Sequence, residues 1–62
     1  MNEKKILLVD DDPDLRLSMR LPLEAAGYTV GEATSYNEGL AAVKAFQPDL
    51  LIFHVYGAHN SY

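Results

Sequence analysis

The chain contains no cysteine, which excludes disulfides and thiolate metal sites and suits a reducing cytoplasm. Bases are scarce as well: five Lys and Arg stand against nine Asp and Glu, for a formal charge of −4. A nucleic-acid or anionic-membrane surface needs a basic patch, and Lys4-Lys5 is too short to make one. Long hydrophobic runs are missing; none approaches the roughly 20 residues that span a bilayer. Met1-Asn2-Glu3-Lys4-Lys5 opens with charge, but no long h-region or small-residue cleavage site follows, so no signal peptide is read. The sequence has no internal repeat, low-complexity segment, glycine-rich phosphate loop or nucleophile-base-acid set. These absences predict a non-enzymatic, cytoplasmic chain with no nucleic-acid or membrane partner. Its 62 residues make one domain at most. A chain this short buries only about 60% of its extended surface, which is marginal without a metal or a second subunit.

What is present is organised around Ile6-Leu7-Leu8-Val9, which runs straight into Asp10-Asp11-Asp12-Pro13. Four consecutive apolar residues read as a strand buried on both faces, as in a parallel sheet covered by helices. Proline suits the first turn of the helix that follows, Asp12 is placed to cap it, and Asp14 favours its positive end. Capping leaves Asp10 and Asp11 unexplained. Open α/β sheets place their chemistry at such a point, where a strand's carboxyl end empties into a helix.

The spacing predicts a first helix over residues 13–26. Leu15, Met19, Leu23 and Ala26 form its apolar face, widened by Ser18 and Pro22, with Arg16 and Arg20 as a charged strip beside it. Pro22 removes one helical hydrogen bond, so a bend is expected there, and Gly27 supplies the stop. Tyr28-Thr29-Val30-Gly31-Glu32-Ala33 reads as an edge strand, with Tyr28 covering its border. Ser35 and Glu38 have capping-box spacing and start a second helix that runs to about Phe46. Leu40, Val43 and Phe46 are its expected buried stripe, with Gly39 and Ala42 permitting close packing. Pro48 ends it and biases Gln47 toward extended backbone. Asp49-Leu50-Leu51-Ile52-Phe53-His54-Val55 is the third strand, with Phe53 expected in the core. Residues 56–62, including Tyr56, His59 and Tyr62, read as a polar tail. The β-α-β-α-β order with right-handed crossovers makes the strands parallel.

On Lys5 to Pro13, Leu15-Arg16, Gly27-Tyr28-Thr29-Val30, Ala33 and Gln47-Pro48-Asp49-Leu50-Leu51-Ile52, the chain resembles the N-terminal half of a response-regulator receiver domain of two-component phosphorelay signalling. The resemblance covers roughly residues 4–55. It implies a truncated flavodoxin-like α/β unit with strand order 2-1-3 and helices on both faces, half of the family's five-stranded sheet. Residues 1–55 would be the receiver-like half-domain. A histidine kinase is the partner that the resemblance implies.

The family's magnesium-binding acid pair transfers to Asp10 and Asp11, and its phosphoacceptor aspartate transfers to residue 54, which here is His54. Neutral imidazole supplies no anionic oxygen, so the acyl-phosphate switch is not available to it. The turn after the third strand departs from the family pattern at Gly57-Ala58-His59-Asn60. The switch hydroxyl and phosphate-contacting lysine of the fourth and fifth strands have no counterpart. Two readings of the site stay open. Asp10, Asp11 and His54 could converge on a divalent cation, with this donor set suiting Mn or Zn better than Mg. Alternatively, His54 could be hydrogen-bonded to one of the acids without a metal.

The expected function is a non-catalytic receiver-like signalling or interaction module that is not phosphorylated in the orthodox way. The alternatives are a fragment or variant of a functional phosphoacceptor and a half-domain with a purely structural role. Leu50, Leu51, Ile52 and Phe53 form an apolar third strand with no lysine or proline to protect its edge. An unprotected edge of this kind predicts a homodimer joined through strand 3.

Overall fold

The computed structural model describes residues 4–54. The expected tail at 56–62, with Tyr56, His59 and Tyr62, and the strand end at Val55 lie outside the described residues. Five elements follow in order: β1 (Lys5–Asp10), α1 (Pro13–Ala25), β2 (Thr29–Ala33), α2 (Tyr36–Phe46) and β3 (Leu50–His54). The sheet is ordered β2-β1-β3, and both pairings are parallel. Lys5 to Val9 run beside Thr29 to Ala33, and Ile6 to Asp10 beside Leu50 to His54.

β1 is central and carries the core: Ile6, Leu7, Leu8, Val9 and Asp10 are all buried. Alternation sends Leu7 and Val9 to the face where they meet Ala33, with Ala42 and Phe46 packed on top. α1 covers β1 and β2 on the other face, the two helices do not touch, and neither lies over β3.

Each helix is fixed by local chemistry. Asp12 caps α1 by accepting from the N–H groups of Asp14 and Leu15, and Pro13 occupies the first turn. α1 runs unbroken through Pro22. Gly27, at φ 101°, closes it: Tyr28 N–H reaches the Leu23 carbonyl and Gly27 N–H the Glu24 carbonyl, a Schellman ending that favours glycine. Lys5 clasps the far end of α2. Its Nζ donates to the Phe46 carbonyl at 3.1 Å and lies 5.3 Å from the centre of the Phe46 ring.

Several expectations are corrected. In α2 the residues that meet the sheet are Gly39, Ala42 and Phe46, while Leu40 and Val43 are exposed. The helix sits so close that a Cβ on Gly39 would meet Val9 at 3.0 Å, so the smallest side chain takes the centre. In α1, Leu15, Met19 and Leu23 are half-buried but Ala26 is exposed as the C-cap. Phe53 is exposed beside β3's bare face and meets the Tyr36 ring edge-on, 5.6 Å between centroids.

The capping box closes one residue further out than its spacing suggested. Ser35 Oγ accepts from Glu38 N–H, but the Glu38 carboxylate accepts from the N–H and hydroxyl of Thr34. Those bonds, the backbone one foremost, hold the Glu38 carboxyl below its ordinary range. Gln47 is left-handed at φ 53° and ψ 63° rather than extended, and its N–H bonds the Val43 carbonyl. The right-handed region is disfavoured before Pro48, and the left-handed one satisfies an orphan carbonyl at the helix end.

Candidate functional site

All three strands point the same way, so their carboxyl ends form one rim. Asp10 stands at its centre as the buried polar residue of the core, 1% exposed. A carboxylate is costly to bury unless its oxygens find partners. Oδ1 accepts from Asp12 N–H at 2.9 Å. Oδ2 lies 3.3 Å from His54 Nδ1, brought alongside by the Asp10↔His54 register of β1 and β3. The carbonyl oxygen accepts from Arg16 Nη1 at 2.6 Å.

The three consecutive acids therefore do different work. Asp10 is buried and bonded, Asp12 caps α1, and Asp11 is exposed. The His54 side chain is 45% exposed against 2% for that of Asp10, so the pair presents an imidazole to solvent over a buried acid.

Behind the rim lies an ion-pair lattice that the sequence shows only as scattered charges. Arg16 Nε donates to Glu32 Oε1 at 2.7 Å, and Arg20 Nη1 donates to Glu32 Oε2. Arg20 Nε also stands 3.6 Å from Glu24, too far for a hydrogen bond. The Arg16 hydrogen bond leads the causes that hold the Glu32 carboxyl below its ordinary range; burial opposes it, and Arg20 adds to the lowering. The four-residue spacing of Arg16 and Arg20 was legible as a strip; the strand residue that it would face was not.

A cavity of about 450 Å³ lies at the other end of the sheet, lined by Lys5, Ile6, Leu23, Tyr28, Asp49 and Leu50 among others. It contains none of the rim residues. Among the described residues, no group of three or more His, Asp or Glu side chains is arranged to hold a metal ion. The donor set fits a cation only in part: Asp10 and His54 converge, but Asp10 Oδ1 is engaged by the backbone. Among the same residues, no helix is long and apolar enough to cross a membrane.

A parallel sheet ordered 2-1-3, with helices on both faces and acids at the carboxyl end of its central strand, defines a unit of the flavodoxin-like class. Comparison with known families narrows this further. The chain belongs to the response regulator receiver domain family, whose model matches residues 6–56.

Among curated proteins it is similar to one named as a transcriptional regulator in Pseudomonas aeruginosa, 44% identical over 52 residues, covering 82% of this chain and 25% of that protein. It is also similar to the C4-dicarboxylate transport transcriptional regulatory protein DctD of Rhizobium meliloti, 48% identical over 40 residues, covering 64% of this chain and 9% of that protein. The DNA-binding dual master transcriptional regulator RpaA of Synechocystis is 40% identical over 48 residues, covering 77% of this chain and 20% of that protein. The chain thus spans a quarter or less of the length of these relatives. No solved structure gives a significant match.

Proposed function

We propose that this chain is a non-catalytic receiver-type signalling and interaction module that forms no acyl phosphate at position 54 and pairs with a second copy through β3. The observation that carries the first part is the imidazole of His54 set 3.3 Å from buried Asp10. Imidazole offers no anionic oxygen to become an acyl phosphate, and it satisfies the acid without a cation. The process served, by similarity to relatives named as transcriptional regulators, is transcriptional control, in the cytoplasm and downstream of a histidine kinase.

The test is treatment with a small phosphodonor and magnesium, followed by an assay for hydroxylamine-labile phosphate. The chain itself stays unlabelled. His54→Asp tightens magnesium binding by completing an acid cluster, while phosphotransfer stays poor without a lysine and hydroxyl to stabilise the transferring group. Robust acyl phosphate on the unaltered chain overturns the proposal. The convergence of Asp10 and His54 favours one second reading, a divalent cation held by Asp10, Asp11 and His54. Titration with Mn, Zn and Mg while following the His54 ring signals decides it, since a site gives a saturable shift with at least one of them.

Support for the pairing comes from β3. Leu50, Leu51 and Phe53 are 52%, 45% and 45% exposed, and the strand is paired on one side only within the described sheet. Antiparallel pairing about a twofold axis gives one sheet ordered 2-1-3-3′-1′-2′ and closes the assembly. Sedimentation equilibrium over a hundredfold concentration range shows a dimer, which Ile52→Lys splits. A folded monomer throughout that range refutes it.

A further inference from the structure

One polar chain crosses the α1 face at the carboxyl rim and touches every element there. It runs from Glu32 on β2 through Arg16 on α1 and Asp10 on β1 to His54 on β3. We infer that Arg16, oriented by Glu32, is the positioning residue of the Asp10–His54 site. The inference rests on the reading of that pair as the site.

The β2 register ends at Val9↔Ala33, so Asp10 has no strand partner on that side. The Arg16 guanidinium takes the place of one, donating to the Asp10 carbonyl at 2.6 Å and to Glu32 Oε1 at 2.7 Å. Its side chain is only 13% exposed, and a planar fork held by two acceptors has little freedom left. Arg16 belongs to the first turns of α1, and its N–H bonds the carbonyl of the cap residue Asp12 at 3.0 Å. The two-residue link between β1 and α1 is therefore held from both sides. Asp12 N–H grips the Asp10 carboxylate, and Arg16 grips the Asp10 carbonyl. Rotation of that peptide would swing the Asp11–Asp12 backbone and carry the Asp12 N–H off Asp10 Oδ1, freeing the carboxylate to turn from His54. A lysine cannot hold both acceptors in one plane, because its ammonium is a point charge on a flexible stem.

Arg20 is the internal control. It also bonds Glu32, with no bond to Asp10 among its hydrogen bonds and ion pairs, so a mere staple between α1 and β2 is weakened by losing either arginine. NMR of the labelled full chain reads the Asp12 amide and the His54 ring. Asp10→Asn moves both signals, which tests the site itself. Arg16→Ala moves both and speeds exchange of the Asp12 amide about tenfold, as expected for the loss of one charge-assisted hydrogen bond. Glu32→Gln shifts them less in the same direction, Arg16→Lys does not restore them, and Arg20→Ala leaves them in place.

Should Arg16→Ala fail to fold, the Glu32→Gln and Arg16→Lys shifts, with a coupling across the hydrogen bond from Arg16 to the Asp10 carbonyl in the unaltered chain, carry the decision. Asp12 and His54 signals unmoved by the Arg16 and Glu32 changes, in a chain where Asp10→Asn moves them, overturn the positioning role and leave the site standing. A His54 signal indifferent to Asp10→Asn removes the site and the inference together.

Discussion

The central strand has two neighbours of equal length and direction, and they live in opposite surroundings. β2 reads Thr-Val-Gly-Glu-Ala and is at least half-buried along four of its five residues; β3 reads Leu-Leu-Ile-Phe-His and is mostly exposed. The less apolar strand is the better covered. Cover decides burial here: both helices pack on β1 and β2, and none lies over β3. Even the charge on β2 is accommodated, because Glu32 meets two arginines from the helix above it. On β3 the nearest equivalent is an aromatic edge contact from Tyr36. A run of apolar letters thus predicts a strand well and its environment poorly.

The strongest way to break this comparison is to make the same deletion on both sides. Leu7 is 1% exposed and Leu51 45%. Leu7→Ala should cost about 3 kcal/mol in denaturant melts, the usual loss for a truncated core leucine. Leu51→Ala should cost under about 1 kcal/mol at low protein concentration. Its effect should grow with concentration where a β3 dimer forms. Equal costs at low concentration would mean that β3 is covered in solution.

A smaller effect sharpens the covered side. Gly39→Ala gains helix propensity worth about 1 kcal/mol but drives a Cβ to 3.0 Å from Val9. Overpacking of that kind costs about 1–3 kcal/mol, so a net loss near 1 kcal/mol is expected in the same melts. A gain would mean that α2 can lift off the sheet.

The smallest effect is in pH. The folded-state Glu32 carboxyl is held below its ordinary range, first by Arg16, so its ion pairs stabilise the fold above the unfolded pKa. That contribution is lost as pH falls through the depressed folded value. Glu32→Gln should flatten this part of the stability-against-pH curve, measured by thermal melts. An unchanged acid limb would place the acid sensitivity elsewhere.

What the sequence made legible was local. Asp12 and Ser35 announced their helices because a cap reaches only two or three residues, and Gly27 announced a left-handed stop for the same reason. The parallel order followed from element order and chain handedness. The phase of α2 was misread because large side chains mark an apolar stripe, whereas close packing on Val9 selects its smallest member, Gly39. At the rim, Asp10 and His54 were named, and the resemblance brought them together. Arg16 as a partner of Glu32 was hidden: the two are 16 residues apart, and only the packing of α1 on β2 joins them.

The clasp at Lys5 has a kinetic consequence. Lys5 N–H donates to the Asp49 carboxylate at 2.8 Å, and Asp49 N–H returns a bond to the Lys5 carbonyl at 2.7 Å. This joins groups 44 residues apart, nearly twice the loop that brings β2 to β1. Doubling a loop adds only about 0.6 kcal/mol of closure entropy, so distance along the chain does little to delay β3. Its direction of assembly is set instead by where it is anchored. With a two-bond clasp at its first turn and no helix above it, β3 zips from Leu50 toward His54 and opens in reverse. The amide of His54 should then exchange ahead of that of Ile52, which faces β1 on the same side of the strand, so in each opening event the candidate site comes apart before the strand that carries it.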